Sequence, residues 1–256
     1  MSSVFSRRGA SALLRLSAAR SVLAFDLDGT LAPIVAHRDQ AQVPPLVAFR
    51  LRALSHLWPV AVLTGRAPED ARARLGFKPR YLYGHHGAQN GDHGMPSDLA
   101  ARLDPLRLRI RDSADELRSV GIDVEDKGLS LALHYRAAVD PAAARRWLDA
   151  FGSQLPAEVV ASPGHCVVNL TLSQAANKGD ALLQVMRDEG ATSALVIGDD
   201  TNDEPAFANA PEGSVCVRIG APGTPTAAGF RLDAQPQVSV LLSMLLALRA
   251  GARATH

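Results

Sequence analysis

The chain has 256 residues, of which 47% are hydrophobic and 21% charged, a composition typical of a globular protein and unlike a disordered or fibrous one. The 27 Lys and Arg are balanced by 26 Asp and Glu, and no apolar run approaches the ~18 residues of a membrane-spanning helix, so nothing favours a nucleic-acid-binding or membrane protein. Two cysteines, Cys166 and Cys216, are too few for a disulfide framework, which favours a reducing, cytoplasmic location.

The first twenty residues differ in charge from the rest. Residues 1–20 contain Arg7, Arg8, Arg15 and Arg20 and no acidic residue, a composition also seen in organelle transit peptides. Because Arg and Ala are abundant throughout the chain, we favour a flexible N-terminal extension that precedes the first core strand. We expect it to be dispensable.

Residues 21–95 alternate short apolar runs with helical patterns. The runs predict strands at 21–25, 60–63 and 80–83, and the intervening patterns predict helices at 44–57 and 68–75. Each run is apolar throughout, as in strands buried on both faces. Strand–helix alternation of this kind predicts an α/β fold with a doubly wound parallel sheet.

The pattern changes after residue 95 and later returns. Residues 97–120 predict one long helix, which is followed by a hairpin around Gly128, a helix at 141–151 and two strands at 157–161 and 166–172. This order is typical of an α+β domain. Strand–helix alternation then resumes with a helix at 178–189 and a strand at 194–197. We therefore predict a core of residues 21–95 and 174–250 with a domain inserted at 96–173.

Polar side chains follow three of the predicted core strands, and Lys178 opens a helix. The polar residues are Asp26 and Asp28 after the first strand, Thr64 after the second, and Asp199, Asp200 and Asp203 after the last. The carboxyl edge of a parallel sheet is where such folds bind ligands. Crowded carboxylates repel each other unless a cation lies between them, and oxygen ligands favour Mg²⁺. With Lys178 and Thr64 to hold an anion, the pattern predicts a phosphoryl-transfer site.

Four motifs in this order resemble those of the haloacid dehalogenase superfamily. They are Asp26-Leu-Asp-Gly-Thr30, Leu63-Thr-Gly-Arg66, Lys178 and Gly198-Asp-Asp-Thr-Asn-Asp203. From about residue 21 to 250 the chain is also similar to the trehalose-6-phosphate phosphatases. That similarity is carried by Gly84-His-His-Gly87, Glu125-Asp-Lys-Gly128, Leu133-His-Tyr-Arg136, Asn177-Lys-Gly179 and Asp203-Glu204. The resemblance implies a Rossmann-like core with an inserted cap that closes over the site and reads the sugar.

The resemblance also implies roles for individual residues. Asp26 would attack phosphorus, and Asp28 would protonate the leaving oxygen and then activate water, while Thr64 and Lys178 would neutralise charge. Mg²⁺ would be held by Asp26, the Asp28 carbonyl and Asp199. Asp200, Asn202 and Asp203 would bind metal waters or Lys178. The residues expected to bind substrate are Gly65, Arg66, His86, Glu125, Lys127 and Asn169.

Several positions have a second interpretation. Thr64 could also be a helix N-cap, and Glu125 and Lys127, which share a strand face, could form only a surface ion pair. His85 and His86 would point to opposite faces of an extended chain, so only one is expected to face the site. The family commonly has glutamate where this chain has Asn169, which we expect on a strand neighbouring Glu125. It usually has threonine where this chain has Asn202.

These observations favour a Mg²⁺-dependent phosphatase that converts trehalose 6-phosphate into trehalose and phosphate. Because of Asn169, another sugar phosphate stays open as the substrate, and so does a sugar-phosphate mutase on the same scaffold. A non-catalytic sensor is disfavoured, since it would need neither Asp26 nor Asp28. We expect a small-molecule sugar phosphate as the only partner and a monomer or weak dimer in the cytoplasm.

Overall fold

The computed structural model describes residues 1–94, 96–164 and 166–254. The chain divides into two compact units, Met1–Asp92 with Ala176–His256 (unit 1) and His93–Ala175 (unit 2). The predicted boundaries fall after residues 95 and 173, and Met95 itself lies outside the described residues. None of the described helices is long and apolar enough to cross a membrane.

The structure contains the predicted mixture of strands and helices. In chain order the strands are β1 (Ser2–Ser3), β2 (Ser21–Phe25), β3 (Val60–Leu63), β4 (Tyr81–Gly84), β5 (Gln89–Asn90), β6 (Asp123–Asp126), β7 (Ser130–His134), β8 (Val159–Gly164), β9 (Val167–Leu172), β10 (Ser193–Gly198), β11 (Val215–Ile219) and β12 (Phe230–Leu232). The helices are α1 (Arg7–Ala18), α2 (Pro45–Ser55), α3 (Pro68–Leu75), α4 (Ser97–Ala101), α5 (Asp104–Asp112), α6 (Ala114–Ser119), α7 (Pro141–Gly152), α8 (Lys178–Glu189), α9 (Glu204–Asn209) and α10 (Gln237–Ala254).

Unit 1 is built on an eight-stranded sheet of order β1-β12-β11-β10-β2-β3-β4-β5. Its strands pair in parallel except β4 and β5, which are antiparallel. Phe25 at the end of β2 is in register with Ile197 of β10 on one side and Val62 of β3 on the other. The residues that follow these three strands therefore leave the same edge of the sheet.

Helices cover both faces of this sheet because its strands are apolar on both. In β2, Leu23 and Phe25 pack into one core cluster, which includes apolar residues of α1, α2, α3 and α10. Val22 and Ala24 point the other way, into a second cluster with α8 and α9. The doubly wound α/β prediction is confirmed.

The predicted flexible N-terminal extension is wrong. Ser2–Ser3 pairs in parallel with β12, and α1 begins at an N-cap where the Ser6 side chain accepts a hydrogen bond from the Gly9 amide. Leu13 and Leu16 are 0% exposed and belong to the core cluster on that face of the sheet. Although the segment is rich in arginine, it forms an amphipathic helix whose apolar side covers the sheet.

This packing predicts a large difference between two leucines of α1. Leu16→Ala should lower the free energy of unfolding by about 2–5 kcal/mol, because it opens a cavity in a closed core. Leu14 is 59% exposed, so Leu14→Ala should change it by less than about 0.5 kcal/mol. Urea unfolding of both variants measures the difference, and equal, small effects would show that α1 does not pack on the core.

Unit 2 has a four-stranded antiparallel sheet of order β6-β7-β9-β8. Leu131 and Leu133 of β7 pack with apolar residues of the unit's helices. The single long helix predicted over 97–120 is wrong, because three short helices, α4, α5 and α6, occupy this range. Pro105 lies in the first turn of α5, and because it has no N–H it cannot bond to the Ala101 carbonyl and continue α4.

Candidate active site

The centre of the site is a buried lysine between two buried carboxylates. The Lys178 Nζ donates to Asp26 Oδ1 at 2.5 Å and to Asp203 Oδ1 at 2.6 Å. Asp26 follows β2 directly, and its backbone amide donates to the Ile197 carbonyl at 2.9 Å. Burial alone would lower the pKa of Lys178, but the two carboxylates outweigh it and raise that pKa. Lys178 therefore stays a cation fixed against Asp26.

Lys178 is aimed into the site by the start of α8. Asn177 is the N-cap of this helix, and its side chain accepts from the amides of Gly179 and Asp180 at 2.8 and 3.3 Å. The Asp180 side chain returns the contact by accepting from the Asn177 amide at 2.9 Å. This reciprocal cap sets the first helical residue, Lys178, at the carboxyl edge of the sheet.

Asp203 is committed to holding other groups in place. Its Oδ1 accepts from Lys178, and its Oδ2 accepts from the amides of Asp199 and Asp200, both at 3.0 Å. Gly198 makes this possible, because a Cβ there would lie 2.2 Å from Asp203 Cγ. Asp203 thus binds Lys178, one of its two expected roles, and folds the acidic loop.

Asp199 lies opposite the loop that follows Asp26. Its Oδ1 accepts from the Thr30 hydroxyl at 3.3 Å, and a Cβ on Gly29 (φ 81°) would lie 2.1 Å from Oδ2. Burial, with the charge of Asp203, raises the pKa of Asp199 to about 7. Burial likewise raises the pKa of Asp26, with Lys178 opposing the rise. One lysine therefore does not offset the burial of both carboxyl groups.

The residues present fit a divalent cation. Within the described part of the chain, ligand oxygens of Asp26, Asp199 and Asp203 lie within 4.8 Å of one another. Both Asp203 oxygens already accept hydrogen bonds from Lys178 and backbone amides. Asp26 and Asp199 are therefore the carboxylates available to a metal. The buried Asn202 Oδ1 has no hydrogen-bond partner among the described residues, as suits an atom that accepts from a metal-bound water. An all-oxygen set of few carboxylates suits Mg²⁺.

The raised pKa of Asp199 predicts pH-dependent metal affinity. A carboxylate with a pKa of about 7 is mostly protonated at pH 6 and must lose its proton to bind a cation. We therefore expect the Mg²⁺ dissociation constant, measured by calorimetry, to be about tenfold higher at pH 6 than at pH 8. Asp199→Asn should bind Mg²⁺ weakly at both pH values. Equal wild-type affinities at the two pH values would contradict Asp199 as a ligand.

Both carboxylate oxygens of Asp28 accept hydrogen bonds from Arg66, a residue that we expected to bind substrate. The Arg66 Nε and Nη2 donate to the two Asp28 oxygens at 2.6 Å each, and Nη1 donates to Asp70 at 2.7 Å. The Arg66 side chain is only 3% exposed. Its guanidinium is therefore directed at carboxylates of the protein.

The loops after β3 and β4 lie together. The fully buried Thr64 is not a helix N-cap, because α3 is capped at Ala67, and its Oγ1 instead accepts from the Arg66 amide at 3.2 Å. The chain leaves the extended conformation at His85 and His86 (φ 51° and 59°), so the argument that their side chains alternate faces does not apply. His86 packs on the Gly65 backbone, where an added Cβ would lie 2.4 Å from its ring.

The expected sugar-binding residues lie in unit 2, on the sheet face opposite the helices. Glu125, Ala132, Asn169 and Ser162 are in register on four adjacent strands. Asn169 is thus one strand further from Glu125 than expected, with the small, buried Ala132 between them. His134 Nε2 lies 3.0 Å and Lys127 Nζ 3.8 Å from Glu125 Oε2, so the alternative ion pair also forms.

Sequence reasoning missed four residues that shape these sites, namely Thr30, Asp70, His134 and Asn177. Thr30, Asn177 and His134 stand inside the quoted motifs, so their position was a usable signal. Asp70 lies in none of these motifs, and its hydrogen bond with Arg66 depends on the direction of the Arg66 side chain, which the sequence does not indicate.

Comparison with known proteins finds one matching family and several similar sequences. The family described as Trehalose-phosphatase matches residues 24–233. The chain is 32% identical to trehalose-6-phosphate phosphatase of Escherichia coli over 232 residues, covering 86% of this chain and 85% of that protein. It is 34% identical over 251 residues to an uncharacterized glycosyl hydrolase of Mycobacterium tuberculosis, spanning 90% of this chain but only 18% of that protein.

A solved structure extends the likeness to the fold. The C-terminal domain of trehalose-6-phosphate phosphatase from C. albicans superimposes with a TM-score of 0.81 at 21% identity, covering 96% of this chain and 98% of that one. The fold and the site define the class, an α/β protein with a buried lysine–carboxylate site at the carboxyl edge of its parallel sheet. Within that class the chain belongs to the trehalose-phosphatase family.

Proposed function

We propose that this chain hydrolyses trehalose 6-phosphate to trehalose and phosphate. The observation that carries the proposal is the buried Asp26 carboxylate at a strand end, held by Lys178 at 2.5 Å, with Asp28 two residues further along. A nucleophile beside a fixed cation, followed by a carboxyl group able to transfer protons, suits displacement at phosphorus. Membership of the trehalose-phosphatase family supports the choice of substrate.

The reaction proceeds in two displacements on one residue. An Asp26 oxygen bonds to phosphorus as the bond from phosphorus to the sugar oxygen breaks, and Asp28 gives that oxygen its proton. Water then attacks the aspartyl phosphate, passing a proton to Asp28, and the bond from phosphorus to Asp26 breaks. Lys178 and Thr64 stabilise the charge that develops on the phosphoryl oxygens.

Mg²⁺ is part of the proposal. Asp26, Asp199 and the Asp28 carbonyl would hold it, while Asp200, Asn202 and Asp203 would order its waters and Lys178. When bound, it supplies positive charge that neutralises the phosphoryl group. The same charge favours ionised Asp26 and Asp199, both of which have raised pKa values.

We assign sugar recognition to the polar sheet face of unit 2. Glu125, Lys127 and Asn169 offer acceptors and donors for hydroxyl groups, and His134 holds the Glu125 carboxylate at 3.0 Å. Gly65 and His86 complete the proposed substrate-binding set in unit 1. An amide at Asn169 is a weaker hydroxyl acceptor than glutamate, which is why a different sugar phosphate is the second candidate substrate.

The assignment predicts a selective loss of activity in unit 2 variants. Loss of a charged hydrogen bond costs about 1.5–3 kcal/mol, so Glu125→Ala and Lys127→Ala should each lower kcat/KM for trehalose 6-phosphate roughly 10- to 150-fold. Hydrolysis of p-nitrophenyl phosphate, which has no sugar, should stay within about twofold. Asp115→Ala, which removes an exposed acid of the same unit, is the matched control. Equal losses on both substrates would make Glu125 and Lys127 structural.

The experiment that tests the function is a phosphate-release screen over a panel of sugar phosphates with Mg²⁺. We expect trehalose 6-phosphate to give the highest kcat/KM. A better substrate would move the assignment to that sugar. Conversion of a hexose phosphate to its isomer, dependent on a bisphosphate activator, would favour the mutase instead.

The proposal includes a cytoplasmic monomer or weak dimer. Cys166 and Cys216 are both free thiols, which agrees with a reducing compartment.

A further inference from the structure

Asp28 is the end of a chain of alternating charges that runs through Arg66, Asp70 and Arg74 to the exposed Asp39. Arg66 binds both oxygens of Asp28 and donates its remaining nitrogen to Asp70 Oδ2 at 2.7 Å. The other Asp70 oxygen, Oδ1, accepts from Arg74 Nε at 2.9 Å and Nη2 at 2.5 Å. Arg74 in turn donates to the carbonyl of Ala41 at 3.3 Å. Each carboxylate thus fixes the arginine beside it.

The two arginines of this chain are well shielded from water, and the carboxylates less so. The side chains of Arg66 and Arg74 are 3% and 10% exposed, against 34% for Asp70 and 41% for Asp28. Arg66 and Asp70, like Asp70 and Arg74, are four residues apart. The first turn of α3 therefore presents Asp70 between the two arginines. Asp70 opposes the charge of Arg66 and sets the plane of its guanidinium.

We propose that Asp70 is a positioning residue for proton transfer by Asp28. By orienting Arg66, it holds the Asp28 carboxyl group where it can give its proton to the leaving oxygen. This inference rests on the proposed function, in which Asp28 is the proton donor. It gives Asp70 a role that depends on the leaving group, because Asp70 acts on the reaction only through Asp28.

Leaving-group chemistry separates this role from a purely structural one. A sugar oxygen is a strong base and leaves poorly unless it is protonated as its bond to phosphorus breaks. A p-nitrophenolate is a weak base and leaves without help. A misplaced general acid should therefore slow the first reaction and spare the second. Phenyl phosphate, as small as p-nitrophenyl phosphate but with a more basic leaving group, should lie between them.

The test is kcat/KM of Asp70→Asn with Mg²⁺ on trehalose 6-phosphate, phenyl phosphate and p-nitrophenyl phosphate. This constant covers steps up to the first departure of the leaving group, so hydrolysis of the aspartyl phosphate does not enter it. We expect about a tenfold to hundredfold loss on trehalose 6-phosphate, a smaller loss on phenyl phosphate, and less than about twofold on p-nitrophenyl phosphate. Arg66→Lys, which cannot bind both Asp28 oxygens at once, should show the same order.

The matched control is Glu69→Gln. Glu69 neighbours Asp70 in the same turn, is 73% exposed, and contacts Arg72 at 3.8 Å, so its neutralisation should change no ratio between substrates. All substrates are assayed on one preparation. A smaller folded fraction of Asp70→Asn would then lower all three constants equally and leave their ratios intact.

The outcomes separate the inference from the proposed function. Ratios in Asp70→Asn and Arg66→Lys within about twofold of wild type would overturn the positioning role while leaving the phosphatase intact. A wild type that hydrolyses none of the three phosphates would overturn the proposed function, and the inference with it. A graded loss that follows leaving-group basicity, absent from Glu69→Gln, supports the inference.

Discussion

Asp26→Asn is expected to lower kcat on trehalose 6-phosphate by at least about a hundredfold, because an amide oxygen cannot form the phosphoryl intermediate. The substitution preserves shape, and the asparagine oxygen can still accept from Lys178, which contacts Asp26 Oδ1 at 2.5 Å. We therefore expect the fold and substrate binding to survive. Steady-state phosphate release measures the loss, and thermal unfolding together with calorimetric titration of the substrate serves as the control.

The buried position of Asp26 sharpens this expectation. Burial raises the pKa of Asp26, so at neutral pH its ionised form costs the fold some stability that asparagine does not. Because asparagine also removes one of the two carboxylates that hold Lys178, the melting temperature of Asp26→Asn should stay near that of wild type in metal-free buffer at pH 8. Residual activity above about one percent of wild type would remove Asp26 from the nucleophile role.

Lys178→Met is expected to lower both activity and stability. Removing the ammonium leaves the Asp26 and Asp203 carboxylates, 8% and 2% exposed, without their cation. Breaking a buried ion pair by removing one partner costs about 3–5 kcal/mol. Lys178 has a raised pKa, so its stabilising contribution is fully present below the pKa of an unfolded lysine and is lost only at higher pH. The effect should therefore be complete at pH 8.

Two comparisons make the Lys178 result specific. Lys78 is exposed, so Lys78→Met should change the free energy of unfolding by less than about 0.5 kcal/mol. Adding Asp203→Asn to Lys178→Met removes one of the two stranded charges and should restore part of the loss. Urea unfolding at pH 8 gives all four free energies. A Lys178→Met value within about 1 kcal/mol of wild type would show that the buried triad does not stabilise the fold.

The sequence predicted the elements whose signals are local. Strand β3 and helix α3 have the predicted bounds, because each is set by a continuous apolar run or by proline at its start and glycine at its end. The same holds for Asp26 and Lys178, since strand ends and helix starts fix where those side chains lie.

What the sequence could not predict depends on contacts between distant segments. Helix α1 is recognisable as core only once a sheet exists for Leu13 and Leu16 to cover. From the sequence, Arg66 is a cation available to bind substrate. Only the structure shows that its guanidinium binds Asp28 and Asp70 instead. A left-handed backbone, as at His85 and His86, is uncommon for any residue other than glycine, so the sequence does not indicate it.

The central claim is that the phosphoryl group passes through Asp26, and acid-quenched phosphoryl mapping tests it most directly. Wild type and Asp28→Asn would be mixed with p-nitrophenyl phosphate and Mg²⁺, quenched in acid, and digested for mass spectrometry. Because Asp28→Asn cannot activate water, we expect it to release one p-nitrophenolate per chain and to carry one phosphoryl group on Asp26. Free phosphate formed with no phosphoryl group on the chain, or a phosphoryl group on any other residue, would contradict the account.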